Sequence, residues 1–86
     1  MLASAQIAIY PLRQARLSPA VQAVGDALRT AGLQPEVGPM STLVTGEVER
    51  LFAVLQTAFV RAAEQGPVVL TVTLSNACPV DVPPRA

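Results

Sequence analysis

Apolar and polar residues alternate in two segments near the ends of the chain, which is the pattern of a β-strand with one buried face. The first segment runs from Ala3 to Tyr10 and is ended by Pro11, and the last runs from Val68 to Ser75. The buried side is predicted to consist of Ile7, Ile9, Val68, Leu70, Val72 and Leu74. The opposite side is predicted to consist of Gln6, Ala8, Tyr10, Thr71, Thr73 and Ser75.

Two segments between these strands have the spacing of amphipathic helices. Ser18 and Pro19 are typical of a helix start, and Gly32 is typical of a left-handed helix end. The second helix is predicted from Glu47 to Gln65, with Gly66 after it. Its apolar stripe places Phe52 and Phe59 in the core together with Val48, Leu51, Leu55 and Ala62.

Two shorter strands are predicted at residues 33–38 and Ser41–Thr45, and Pro35 places the first of them at an edge or a bulge. The pattern does not decide which side of the second of these strands faces the core. The order βαββαβ predicts a ferredoxin-like α+β sandwich, with two helices on one face of a four-stranded antiparallel sheet. We expect one domain over residues 1–86, with a turn-rich tail at 78–86 that is partly frayed.

Composition excludes several functions. The 86 residues include six arginines and no lysine against six carboxylates, so the formal net charge is zero, and nucleic-acid binding is not expected. Without histidine and with one cysteine, the chain cannot form a Ser-His-Asp triad or a disulfide, and we expect no metal and no cofactor. No segment has the length of a membrane span or the form of a signal peptide, which favours a cytoplasmic protein that is not embedded in a membrane.

Four residues are candidates for chemistry on or near the open side of the sheet. Tyr10 could stack on a heteroaromatic ring, or be a partly buried residue at a strand end. Cys78 is interpreted as a structural or ligand-contacting thiol, because no histidine or lysine is present to activate it as a nucleophile. Asp81 and Glu36 could each pair with a cationic or amino-bearing ligand, or be exposed and solvated.

Three stretches resemble one known family. They are Ile7–Leu12, which ends in Tyr-Pro-Leu; Pro39–Gly46 followed by Glu47; and Ser75–Asp81, which ends in Cys-Pro-Val-Asp. Together they are similar to the thiamine/hydroxymethylpyrimidine-binding proteins, both the YkoF-like type and the related single-domain thiamine-binding proteins. The resemblance implies non-catalytic binding of thiamine or its hydroxymethylpyrimidine moiety in vitamin B1 uptake or salvage. It further implies a homodimer or homotetramer, and a link to a thiamine-precursor transporter.

The same resemblance implies a set of ligand-binding residues. Neutral hydrogen bonds would come from Thr42, Thr71, Thr73, Ser75 and Asn76, and stacking from Tyr10. Asp81 or Glu36 would meet the positive charge or the amino group, and Cys78 would contact the ligand. A second hypothesis is an oligomeric regulatory or assembly module whose open sheet face is a subunit interface without a small ligand. A small enzyme is the least supported hypothesis, because no acid–base pair or activated nucleophile can be assembled.

Overall fold

The fold follows the order βαββαβ in a computed structural model that describes residues 1–13, 16, 18–38 and 41–77. The elements are β1 (Leu2–Pro11), α1 (Ser18–Thr30), β2 (Glu36–Val37), β3 (Thr42–Glu47), α2 (Val48–Ala63) and β4 (Val68–Ser75). The strands form one sheet in the order β2-β3-β1-β4, and all neighbouring strands are antiparallel. The predicted ferredoxin-like α+β fold is therefore confirmed.

The core lies between the helices and one face of the sheet. β1 contributes alternate residues to it, Ala3, Ala5 and Ile7, and each is at most 2% exposed. Fully buried Leu28 of α1 and Leu51 of α2 pack against them. The small alanines let the helices approach the sheet closely, so a small domain still obtains a densely packed core.

The two middle strands differ in length from their predictions. β2 contains only Glu36 and Val37, because the chain leaves α1 through a turn that keeps Leu33 buried in the core. Gly32 has φ +85° and the N–H of Leu33 donates to the carbonyl of Leu28 at 3.0 Å, which confirms the predicted left-handed end of α1. β3 continues to Glu47, beyond its predicted end at Thr45. α2 therefore begins at Val48, one residue after its predicted start.

The prediction that Phe52 and Phe59 belong to the core is wrong. They are 58% and 42% exposed, whereas the buried residues of α2 are Leu51, Val54, Ala58 and Ala62. Successive helix residues are rotated by about 100°, so Phe52 lies a quarter turn away from Leu51. The apolar pattern of α2 is wider than its buried stripe, and the pattern alone could not locate the boundary.

β4 is also less covered than predicted. Its register with β1 places Val72 opposite Ile7 and Leu74 opposite Ala5, so both side chains lie on the helix side of the sheet. They are nevertheless 37% and 38% exposed. β4 is the outermost strand, and the helix layer does not cover its outer side completely.

Candidate functional site on the open sheet face

The sheet face away from the helices, here called the open face, carries most of the residues singled out from the sequence. Residues that are paired across antiparallel strands lie on the same face. Since Ile7 faces the core, the even-numbered residues of β1 face outward, together with their partners Leu43, Thr45, Thr71, Thr73 and Ser75. Glu36 pairs with Leu43 and joins them. The predicted site residues Tyr10, Thr71, Thr73, Ser75 and Glu36 thus share one surface.

Ala8 is the low point of this surface. It lies opposite Thr71, and Gln6 and Tyr10 stand two residues to either side on the same strand. Tyr10 is 48% exposed and is the diagonal neighbour of Thr71, a separation of roughly 7–8 Å that an aromatic side chain can span. The methyl group of Ala8 therefore forms the floor of a platform on which a flat ring could lie.

Around Ala8 the platform carries polar, uncharged side chains, and the exposed apolar side chains of Leu43 and Val69 lie beside Gln6 and Tyr10. The Nε2 of Gln6 donates to the Oγ of Ser41 at 3.3 Å. The hydroxyl groups of Ser4 and Thr45 are 3.2 Å apart, and either can be the donor. These hydroxyl and amide groups are exposed and can exchange their present partners for a ligand. Strand alternation placed Gln6 on this face from the sequence, but Thr45 could not be assigned because the facing of β3 was ambiguous.

Among the strand positions of the open face, the acidic residues are Glu36 and Glu47. Glu47 is occupied, because its Oε1 lies 2.8 Å from the α-ammonium group of Met1. This hydrogen bond, followed by the attraction of the same carboxylate, raises the pKa of the α-ammonium group above 8.0. Glu36 is exposed and has no ion-pair partner among the described residues. The face therefore suits a cationic or neutral ligand better than an anion.

Two predicted site residues lie away from the platform. Thr42 pairs with Ile7 on the helix side and is only 6% exposed. Asn76 follows β4, where its Nδ2 contacts the Sδ of Met1 at 3.7 Å. Tyr10 lies opposite Val69, so Ser75 is six residues farther along the sheet, about 20 Å away at 3.4 Å per residue. Within one chain, Tyr10 and Asn76 are thus too distant to contact the same small ligand.

The predicted contacts of Cys78 and Asp81 lie outside the described residues. The tail predicted at 78–86 lies there as well. Among the described residues, no group of three or more histidine, cysteine, aspartate or glutamate side chains could hold a metal ion. In the same part of the chain, no helix is long and apolar enough to cross a membrane.

Two concave regions in the described part of the chain lie on the helix side. One is a groove of about 310 Å³ between α1 and α2, where Arg50, Thr57 and Arg61 face Ala27 and Thr30. The other, of about 430 Å³, lies near Pro19, Asp26 and Glu64. Neither is lined by a predicted site residue. The open face is a flat platform on the opposite side of the sheet, and in one protomer it would cover a ligand from one side only.

Comparison with known proteins relates the chain to one family. The family described as "Thiamine-binding protein" matches residues 5–75, which include β1 from Ala5 onward, the other three strands and both helices. The match ends at Ser75, so it does not include the Cys-Pro-Val-Asp segment. No curated protein matches the chain in a sequence comparison.

Solved structures show the same fold. A protein of Streptococcus pneumoniae has a TM-score of 0.79 and 26% identity, over 87% of this chain and 86% of the other. A hypothetical protein of Methanocaldococcus jannaschii has a TM-score of 0.78 and 20% identity, over 86% of this chain and 78% of the other. A Thermotoga maritima protein, proposed to act in thiamine biosynthesis or salvage, has a TM-score of 0.77 and 21% identity, over 87% and 83%.

Proposed function

The chain belongs to the thiamine-binding protein family, and from that premise we propose that it binds thiamine or its hydroxymethylpyrimidine moiety on the open face, without catalysing a reaction. The observation that carries this proposal is the combination of the family match with a neutral, hydroxyl-rich platform around Ala8. A binding protein needs a complementary surface and no activated nucleophile. The open face offers such a surface, and none of its described side chains is placed to act as an activated nucleophile.

The chemistry of the ligand fits the platform. An aminopyrimidine is flat, and it needs an acceptor for its amino group and a donor for a ring nitrogen. Lying on Ala8, it would have the ring of Tyr10 at one end and the hydroxyls of Thr71 and Thr73 along one side. Gln6 can donate and accept at the other end.

The thiazolium ring of thiamine adds a positive charge. Glu36 lies in the same cross-strand row as Gln6 and Thr73, two strands from β1, or roughly 10 Å at 4.8 Å per strand. A ligand with two linked rings extends far enough to use both the platform and this carboxylate. Thiamine would therefore use Glu36, whereas hydroxymethylpyrimidine, which lacks the second ring, would not.

A second copy of the chain would complete the site. Ligand sites commonly bury 70–90% of the ligand surface, and a flat sheet face cannot do so alone. If the open face of a second copy lay over the first with its strands reversed, the end that carries Ser75 and Asn76 would come over Tyr10. We therefore propose a homodimer or homotetramer in which Asn76, Cys78 and Asp81 belong to the site through the partner subunit.

We place this binding in vitamin B1 uptake or salvage in the cytoplasm, where the protein would take the ligand from a thiamine-precursor transporter. Capture without catalysis serves such a step, because the ligand must be released unchanged. The family match supports a thiamine-related role, and the transporter link stays a prediction.

The alternative is an assembly module whose open face joins subunits and binds no small molecule. The same flatness and neutral hydroxyls favour it. In that case Thr71→Arg would disrupt the oligomer, and neither thiamine nor hydroxymethylpyrimidine would raise the melting temperature.

Calorimetric titration with thiamine and, separately, with hydroxymethylpyrimidine tests the proposal. We expect saturable binding at micromolar affinity or tighter, about −8 kcal/mol. Tyr10→Ala should weaken the binding of both ligands, whereas the matched control Tyr10→Phe should retain stacking and most of the affinity. Glu36→Gln should weaken the binding of thiamine and leave the binding of hydroxymethylpyrimidine unchanged. If folded protein gives no heat and no thermal stabilisation with either ligand, the proposal is wrong.

A further inference from the structure

The groove of about 310 Å³ between α1 and α2 lies on the side of the molecule opposite to the open face. Its floor is apolar, because it includes Ala27 of α1 and Val54 of α2, which are 3% and 5% exposed. Arg50 and Arg61 of α2 line the same groove and are exposed. A ligand on the open face, or a second copy stacked there, would leave this groove accessible.

The two helices that form the groove run antiparallel. The Nη1 of Arg50, near the start of α2, donates to the carbonyl oxygen of Ala31, just after the end of α1, at 3.4 Å. Arg61, near the end of α2, lines the second concave region together with Pro19, at the start of α1. The groove therefore follows both helices, with one arginine toward each end.

Arg50 and Arg61 lie on the same side of α2. They are eleven residues apart in the sequence, and an α-helix of this length turns three times with a remainder of only about 20°. Their Cα atoms are therefore about 16 Å apart along the helix axis. A further helix lying along the groove would have the same rise per residue. Two of its side chains, also eleven residues apart, could then meet both arginines.

The charge of the groove is positive. None of the described residues that line it is acidic. Neither Arg50 nor Arg61 takes part in an ion pair in the described part of the chain. Asp26 and Glu64 lie with Arg61 beside the second concave region, and Asp26 is already bound to Arg29 at 3.3 Å. The groove therefore suits a partner that carries negative charge at two separated points.

The shape of the groove favours a helix over a small molecule. Its rim consists of exposed residues of both helices, including Thr30, Ala53 and Thr57. A small ligand lying between these rims would stay partly in water, whereas ligand sites commonly bury 70–90% of the ligand surface. An amphipathic helix needs only one covered side. The short side chains of Ala27, Ala31 and Ala53 allow a close approach, since the distance between packed helix axes depends on the side chains at the contact.

We propose that the groove between α1 and α2 is a docking site for an acidic amphipathic helix of a partner protein. The helix places small apolar residues over Ala27 and Ala53 and one carboxylate beside each of Arg50 and Arg61. A contact of three helical turns is short, so it belongs to the small, transient class of interfaces and weakens as salt is added. The proposal does not depend on the ligand of the open face, and thiamine titration tests that ligand separately.

Fluorescence anisotropy with labelled synthetic peptides tests the docking. The probe is an alanine- and leucine-based peptide of about 15 residues, a length at which such helices begin to form in water, with two glutamates eleven residues apart. The matched control carries lysine in place of both glutamates. We expect saturable binding of the glutamate peptide by the full chain, and at least about tenfold weaker binding of the lysine peptide, because like charges would meet in the contact.

Charge reversal in the protein tests the location. The double variant Arg50→Glu with Arg61→Glu should weaken the glutamate peptide at least about tenfold, and should bind the lysine peptide more tightly than wild type does. Arg13→Glu with Arg16→Glu is the matched control, because it changes the net charge equally at exposed positions outside the groove. The control should leave both affinities unchanged. Circular dichroism checks that each variant is folded.

Three outcomes would overturn the proposal. The first is that folded wild type binds neither peptide saturably, or binds both equally. The second is an equal loss of affinity in the two double variants, which would show attraction to net charge alone. The third is displacement of the bound peptide by an equimolar amount of free glutamate, which would show that the groove holds a small anion instead.

Discussion

Neighbouring residues of β1 lie in opposite environments, because alternate side chains point to the buried helix side and to the exposed open face of the sheet. On the helix side, Ala3, Ala5 and Ile7 are at most 2% exposed and lie in the core between the sheet and the two helices. On the open face, the exposed side chain of Gln6 donates a hydrogen bond to the side chain of Ser41, and Tyr10 is 48% exposed. One face is committed to packing, whereas the other contributes little to holding the fold together.

This difference shows where the chain can carry function. A buried side chain is constrained by every neighbour that it contacts, so substitutions there change stability. An exposed platform can change its hydrogen-bond partners without unfolding the protein. Stability and binding should therefore separate by face.

The largest effect is expected from shortening Ile7 to alanine. Ile7 is among the largest fully buried side chains, and removing it should lower the free energy of unfolding by about 2–5 kcal/mol. Urea denaturation measures the change. The adjacent Gln6→Ala is the matched control and should stay within about 0.5 kcal/mol. If both substitutions lowered the free energy of unfolding equally, the two faces of β1 would not differ in their contribution to stability.

A smaller loss is expected from Gly46→Ala on the helix side of β3. An added Cβ would lie 2.9 Å from the Cδ2 of Leu33, which must move within the core. Overpacking of this kind costs about 1–3 kcal/mol. Gly25→Ala in α1 is the comparison, because the three atoms nearest to its new Cβ all belong to the flexible side chain of Arg29 and alanine favours a helix. We expect Gly25→Ala to be neutral or stabilising in the same denaturation experiment.

Two threonine substitutions separate the faces by ligand affinity. Thr71→Val removes a hydroxyl from the platform and should weaken binding by about 0.5–1.5 kcal/mol, the value of one hydrogen bond. Thr42→Val alters a buried helix-side residue and should leave the affinity unchanged. Calorimetry with thiamine compares them. If Thr42→Val weakened thiamine binding as much as Thr71→Val does, part of the ligand site would lie on the helix side of the sheet, which would contradict the proposal.

The smallest effect concerns the ion pair between Met1 and Glu47. Because the pKa of the α-ammonium group is raised in the folded protein, its contribution is fully present below the unfolded value of 8.0. It is lost as the pH rises through the folded pKa. In protein with a free α-amino group, melting temperature should decline slightly over this alkaline window, and Glu47→Gln should reduce the decline. A steeper decline in the variant would contradict the assignment.

Local pattern was sufficient to predict most of the fold. Alternation placed Tyr10, Thr71, Thr73 and Ser75 on one face before the register was known, and Gly32 ended α1 where left-handed backbone was expected. These features depend on neighbours in sequence, so the sequence contains their signal.

Features that depend on distant packing were predicted less well. The exposure of Phe52 reflects how far the helix layer extends over β4, which no spacing within α2 records. The facing of β3 was ambiguous because both sides carry apolar and hydroxyl residues. Its register with β1 settled that Thr42 faces the core. The distance from Tyr10 to Asn76 also follows from strand pairing alone.

The most direct test of the central claim, that the open face is the binding surface, is a methyl NMR titration with thiamine. The account predicts saturable shifts for the methyl groups of Ala8 and Thr71, which lie on the platform. The methyl groups of Ala27 and Ala53, which line the groove between the helices, should not move. Saturable shifts confined to Ala27 and Ala53, with Ala8 and Thr71 unchanged, would contradict the account.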